Sequence, residues 1–272
     1  MRRLRENAKP GDSFRSTGVP PENTPELELR RQEVKEFNDR LKAKGIDVEV
    51  LLGADAYVVA FQSSGVPEID KLVGGLPRGK IVEIFGTPGA GKTTLCSAIA
   101  RSDSKILYVD TEDGLVNPPE NVTLVREYQL EVVGEIVEKA VEEDTYDVII
   151  VDSIASTTMR AELEGEIGDS HMGLKARIMG QIIRRLLPAL RDSKTTVLLT
   201  NQLRSTMASW GPTEFTPGGK AISYAASIRL ELRSNKADKA ANHQRVHCTV
   251  VKSRFSKAYE TVDFNLKYPT EL

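Results

Sequence analysis

The stretch "GTPGAGKTT" at residues 86–94 could do phosphate chemistry. It fits the pattern G-x-x-x-x-G-K-[ST], directly after the strand-like "KIVEIF" and before a helical stretch. In such a loop the backbone N–H groups of Gly86, Thr87, Pro88 (which lacks one), Gly89, Ala90 and Gly91 wrap a phosphate, and the following helix N-terminus adds a favourable field. Lys92 would reach the β- and γ-phosphates, Thr93 would ligand Mg2+, and Thr94 completes the motif. A Gly-rich turn with an exposed lysine is the plainer reading, but it leaves the strand–loop–helix setting unexplained. Asp152 ends the apolar run "VIIVD" and suits a carboxylate that holds Mg2+ beside a bound nucleotide. Asp110 and Glu112 end "ILYVDTE", and either could take a proton from a water attacking the γ-phosphate. Strand alternation puts both on one face, so spacing does not choose between them. A helix-capping acid near "EDG" is the competing role.

These residues need a scaffold. Four short β-branched runs, at 80–86, 105–112, 146–155 and 195–202, are separated by helical stretches such as 91–101, 130–143 and 173–191. Strands apolar on both faces that alternate with helices predict an α/β fold, a mostly parallel twisted sheet flanked by helices. Ligands in such sheets bind at the carboxyl ends of the strands. The four runs end in Gly86, Glu112, Asp152 and Gln202, which would converge there.

Residues 1–25, with four prolines and several arginines, read as a flexible basic arm. Residues 26–62 read as a small N-terminal segment of helix and strand. Leu27, Val34 and Leu41 recur every seven residues, with Phe37 between them, and "VEVLL" and "AYVVAF" follow as strand-like runs. Residues 63–272 would form the core. A net charge of −2 over 272 residues excludes a global basic field, so any nucleic-acid contact must come from local clusters. Two distant cysteines, no membrane-length apolar run and no secretory signal at the N-terminus predict a soluble cytoplasmic protein with no membrane partner.

The stretches "GLPRGKIVEIFGTPGAGKTT", "LYVDTED", "IIVDSIA", "EGEIGDSHMGLKAR", "NQLR" and "TPGGKAISYAASIRLELR" together resemble the bacterial RecA recombinases, in order and at similar spacing over residues 63–265. "EGEIGDSHMG" is the most diagnostic of them. The resemblance implies a RecA-like P-loop ATPase core that uses ATP and Mg2+. It implies filaments, helical homo-oligomers on single-stranded DNA that pair with homologous duplex DNA and exchange strands. On that resemblance Glu112 becomes the water-activating residue and Gln202 the sensor of the γ-phosphate. Lys252 and Arg254, in "VVKSRF", match the basic pair that reaches the ATP of a neighbouring subunit. The segments at about 164–173 and 203–219 match the two DNA-binding loops. Met172 would wedge against the base stack beside Gly173. Arg177 and Arg204 would hold phosphates. From the second loop Met207, Trp210 or Phe215 would touch bases, while Gly218 and Gly219 would let the backbone approach a phosphate. The segment 26–62 would serve polymerisation.

The chain departs from that family in three places. It ends at Leu272, where RecA proteins continue into a C-terminal domain, which suggests a virus-encoded (phage-type) or otherwise divergent member. The 102–146 section is short. "VNPPENV" lacks the tyrosine that usually stacks on adenine, leaving Pro118 or Pro119 in its place. Two rival readings remain: an ATP-binding regulatory or scaffold protein that self-assembles on a RecA fold without exchanging strands, and a ring helicase or clock-type ATPase.

Overall fold

The computed structural model describes residues 24–46, 48, 50, 51, 59–166, 173–205, 214–234 and 243–268. The chain divides into two compact units, Phe14–Ala60 and a larger one that includes Phe61–Leu272.

The smaller unit is built on α1 (Pro25–Ala43). The Thr24 hydroxyl caps it by accepting the Leu27 N–H at 3.3 Å, and Pro25 sits in the first turn, where a missing N–H costs nothing. The heptad residues Leu27, Val34 and Leu41 are half-buried, while Phe37 stays exposed. The Asn38 amide bonds both the N–H and the C=O of Val50, each at 2.8 Å, so one side chain returns the following segment to the helix. Of the strand-like runs at 48–52 and 56–61, positions 49, 52 and 56–58 lie outside the described residues, and Val48, Val50, Leu51, Val59 and Ala60 are not in a strand. Phe61, which ends the second run, begins the larger unit and opens β1 (Phe61–Gln62), which pairs antiparallel with β2 (Leu76–Pro77) of that same unit.

The larger unit carries an eight-stranded sheet. In chain order its strands are β3 (Ile81–Gly86), β4 (Ile106–Asp110), β5 (Val122–Arg126), β6 (Val148–Asp152), β7 (Thr196–Gln202), β10 (Ile228–Ser234), β11 (His243–Ser253) and β12 (Thr261–Lys267). A two-stranded ladder, β8 (Arg204–Ser205) with β9 (Glu214–Phe215), stands apart. The sheet order is β12-β11-β10-β3-β7-β6-β4-β5, parallel from β10 to β5 and antiparallel at β11 and β12. The helices are α2 (Pro67–Val73), α3 (Lys92–Ala100), α4 (Leu130–Glu142), α5 (Arg160–Glu164), α6 (Leu174–Asp192) and α7 (Lys220–Ala225).

Helical spacing decides what covers the sheet. On α4 Leu130, Val133, Val137 and Val141 line one face; on α6 Met179, Ile183, Leu186 and Leu190 do the same. Both faces pack with Leu107, Val109, Ile149, Val151, Val197 and Leu199 of the sheet. A fully buried aliphatic side chain contributes about 1.5–3 kcal/mol. Four of them on α6 outweigh Pro188 within that helix, where an interior proline costs about 3 kcal/mol. Alternate strand residues such as Tyr108, Ile150 and Leu198 lie on the other face, and α3 contacts β3 and β6. Cys96 and Cys248 are both buried and unbridged.

The strand expected to run to Glu112 stops at Asp110. The Asp110 carboxylate accepts the backbone N–H groups of Glu112, Gly114 and Leu115 at 3.0–3.2 Å and wraps the chain into a turn. Glu112 therefore lies beyond the pleat, and strand alternation does not place it on the face of Asp110.

One charge pair sits inside the sheet. Glu83 on β3 is fully buried; it accepts from Arg229 Nε of β10 at 2.5 Å and from Asn201 Nδ2 of β7 at 3.2 Å. The guanidinium lies 4.5 Å from the centre of the Phe85 ring. Removing one partner of a buried pair strands the other charge. Arg229→Met is therefore expected to cost about 3 kcal/mol in urea unfolding, and the double variant Glu83→Gln/Arg229→Met to regain most of it. A single-variant change below about 0.5 kcal/mol, the size typical of a surface substitution, would show that the carboxylate is not desolvated.

Candidate active site

The strand register sets the site. Gly86 pairs with Gln202 across β3 and β7, and Asp110 with Asp152 across β4 and β6, so the carboxyl ends of four parallel strands lie side by side. The loop 87–91 leaves β3 there and enters α3. Gly86 has a packing reason to be glycine: an added Cβ would collide with the Leu232 carbonyl of β10.

Lys92 is buried at the start of α3, and its ammonium donates to the carbonyls of Gly86 and Thr87 at 3.1 and 2.9 Å. Burial holds its pKa below the ordinary lysine value, while the Asp152 and Glu112 charges push it back up. Asp152 is buried at the end of β6. It accepts from Thr200 Oγ1 at 2.5 Å, from the Tyr108 hydroxyl at 2.8 Å and from the Thr93 hydroxyl. Burial raises its pKa above the usual carboxylate range, opposed by these three donors. Tyr108 is raised in turn, chiefly by burial. One hydroxyl and one carboxylate beside a phosphate loop fit Mg2+, which keeps most of its shell as water and phosphate oxygens. Among the described residues no group of three or more His, Cys, Asp or Glu side chains could hold a metal ion by itself.

Glu112 is exposed in the turn after β4. Its Oε1 accepts from Ser153 Oγ at 2.5 Å, Ser156 Oγ at 2.9 Å and Gln202 Nε2 at 3.4 Å. The two candidate acids thus differ in what they hold: Asp110 binds its own loop's backbone, whereas Glu112 is aimed by three side chains. Ser153, Ser156, Tyr108 and Thr200 were not among the residues expected at the site. Tyr108 and Thr200 left a signal, since each is a polar residue inside an otherwise apolar strand. Ser156 left none.

Lys252 and Arg254 lie elsewhere. Lys252 pairs with Arg229 on β10, and Nζ donates to the carbonyls of Ser223 and Tyr224 at the end of α7, at 2.8 and 2.9 Å. Burial lowers its pKa first, and Arg254 and Arg229 add to that. The Arg254 N–H bonds the Ser227 carbonyl, and the Ser227 N–H bonds that of Ile81. Arg254 thus lies level with Ile81, five residues and roughly 16 Å along the strands from the phosphate-loop end, and Lys252 level with Glu83, three residues and roughly 10 Å from it.

Of the expected loop residues, Met172, Met207 and Trp210 lie outside the described residues. Gly173 caps α6, Arg177 is exposed in its first turns, and Arg204 is exposed in β8 opposite Phe215, which is also exposed. Gly219 has positive φ, and a Cβ there would lie 2.8 Å from the Ala176 Cβ, so the end of the second loop closes tightly on α6. No described helix is long and apolar enough to cross a membrane.

The sequence matches the RecA N-terminal domain family over residues 39–272. It is 38% identical over 216 residues to Protein RecA of Streptomyces venezuelae, covering 72% of this chain and 56% of that one. It is 37% identical over 213 residues to that of Rubrobacter xylanophilus, covering 72% and 62%. For Brevibacillus brevis the figures are 35% over 229 residues, 77% and 65%. The chain thus spans just over half to just under two thirds of the length of these relatives. A crystal structure of the RadB recombinase is similar at a TM-score of 0.58 and 21% identity, over 74% of this chain and 94% of that one, which is a likeness of fold.

Proposed function

This chain belongs to the RecA family, and from that premise we propose that it is a DNA-dependent ATPase that forms filaments on single-stranded DNA and promotes pairing and strand exchange with homologous duplex DNA. The backbone of residues 86–91 with Lys92 and Thr94 binds the triphosphate, and Thr93 and Asp152 hold Mg2+, which when bound neutralises charge on the phosphates. Glu112 accepts the proton of the attacking water. Gln202 lies between that carboxylate and the second loop, which suits a sensor that links the two. Lys252 and Arg254 act on the nucleotide of an adjacent copy, stabilising charge only where two protomers meet. Their distance from their own phosphate loop supports that placement. Arg177 and Arg204 hold DNA phosphates; Met172, Gly173, Met207, Gly218 and Gly219 complete the DNA contacts. The segments 1–25, 26–62 and 63–272 serve as arm, polymerisation element and ATPase core.

One observation carries the reading: a carboxylate on the phosphate-loop edge of the sheet, aimed by two serines and reached by Gln202. A scaffold that only bound ATP would have no use for an oriented base. ATP hydrolysis by the full chain is expected to rise at least about tenfold with single-stranded DNA, since DNA brings together the protomers whose Lys252 and Arg254 stabilise the developing charge, and one such donor is worth that much or more. That rise should fade with added salt as phosphate contacts weaken. A rate indifferent to DNA would favour the scaffold reading.

A further inference from the structure

Two hydroxyls hold Glu112, and a third holds them. Ser153 and Ser156 Oγ lie 2.9 Å apart, Ser156 Oγ lies 2.9 Å from Thr111 Oγ1, and both serines reach Glu112 Oε1. The two serines belong to one short 3-10 turn, Ile154–Ser156 with Ser153 before it. Thr111 ties the start of this turn: its hydroxyl accepts the Ser153 N–H at 2.7 Å and lies 2.9 Å from the Ser153 carbonyl. Lys175 ties its end. Its Nζ donates to the carbonyl of Ala155 at 3.1 Å and to that of Thr157 at 2.6 Å, the residues on either side of Ser156.

Lys175 is an awkward residue for its place. It stands in the first turn of α6, where the helix field disfavours a cation. Burial holds its pKa below the ordinary value, Glu162 opposes that and Arg204 reinforces it. A lysine on a solvated face would put its ammonium in water. This one spends two donors on buried-residue carbonyls beside the hydroxyl that aims Glu112.

We propose that Lys175 is a positioning residue for ATP hydrolysis: by clasping the carbonyls of Ala155 and Thr157 it fixes the turn whose serine hydroxyls aim Glu112. Ser156 is the second member of the same device. The proposal rests on the reading of Glu112 as the base.

The test is DNA-stimulated ATP hydrolysis by the full chain and by Lys175→Met, Lys175→Arg, Ser156→Ala, Lys175→Met/Ser156→Ala and Glu112→Gln. Lys175→Met and Ser156→Ala are each expected to lower kcat about tenfold, less than the hundredfold that a misplacement of about 1 Å costs. KM for ATP and affinity for single-stranded DNA should stay within about twofold, as uniform binding is untouched. The double variant should be no slower than the worse single one, because both act through one set of bonds. Lys175→Arg, which keeps the cation, should recover most of the rate. An unchanged kcat in Lys175→Met, multiplying losses in the double variant, or a loss confined to DNA affinity would each overturn the proposal, the last by making Lys175 a phosphate contact. Glu112→Gln separates the two levels. If it turns over normally, the base assignment has failed and this proposal with it; if it is inactive while Lys175→Met is normal, only the role of Lys175 is wrong.

Discussion

Glu112→Gln is expected to lower DNA-stimulated ATP hydrolysis by about a hundredfold to ten-thousandfold, the contribution of a positioned general base. The substitution keeps the shape and one acceptor oxygen, so Ser153 and Ser156 can still donate to it. What it loses is the ability to take a proton. Nucleotide and DNA binding should therefore persist while turnover stops, and filaments on single-stranded DNA should accumulate in the ATP-bound state. Asp110→Asn is the informative control, because Asp110 spends both carboxylate oxygens on three backbone N–H groups of its own loop. An amide cannot accept at both ends, so that variant should loosen the turn that carries Glu112, lowering stability along with rate. Full turnover by Glu112→Gln, read in a phosphate-release assay, would return the base to another residue.

Lys92→Ala should weaken ATP binding by about a hundredfold or more, a loss near 3 kcal/mol. That is the scale of two charges about 4 Å apart at the effective dielectric of a protein surface, which gives about 4 kcal/mol. The fold should be nearly indifferent to the same change. The ammonium in the structure serves two carbonyls, and the Gly86 carbonyl also accepts the Leu203 N–H at 2.9 Å, so truncation leaves little buried polarity unmet. Removing a desolvated cation offsets part of the lost bonding, which is why burial depresses its pKa at all. Calorimetric titration with a slowly hydrolysed ATP analogue reads the affinity, and urea unfolding reads the stability. Retained affinity would show that the loop does not hold the triphosphate. Large destabilisation with no change in binding would make Lys92 a structural residue.

Much of this protein is written along the chain. The alternation of apolar runs with helical stretches specified a parallel sheet, and "GTPGAGKTT" specified a loop at its carboxyl edge, because strand and helix periodicities and a run of glycines are local properties. Asp152 and Gln202 were legible for the same reason: each ends an apolar run, and the fold class says where such ends meet. The choice between Asp110 and Glu112 was not legible from their spacing. The structure sets the two apart by where the strand stops, which the Asp110 carboxylate decides by capturing three N–H groups that follow it. The Glu83–Arg229 pair, 146 residues apart, and the clasp of Lys175 on the turn that aims Glu112 join residues with no periodic relation. A charge in sequence looks the same whether it ends in water or in a sheet. Only the packing of neighbouring strands and helices determines which carbonyl or carboxylate it meets, and so only the tertiary structure could show where these charges end.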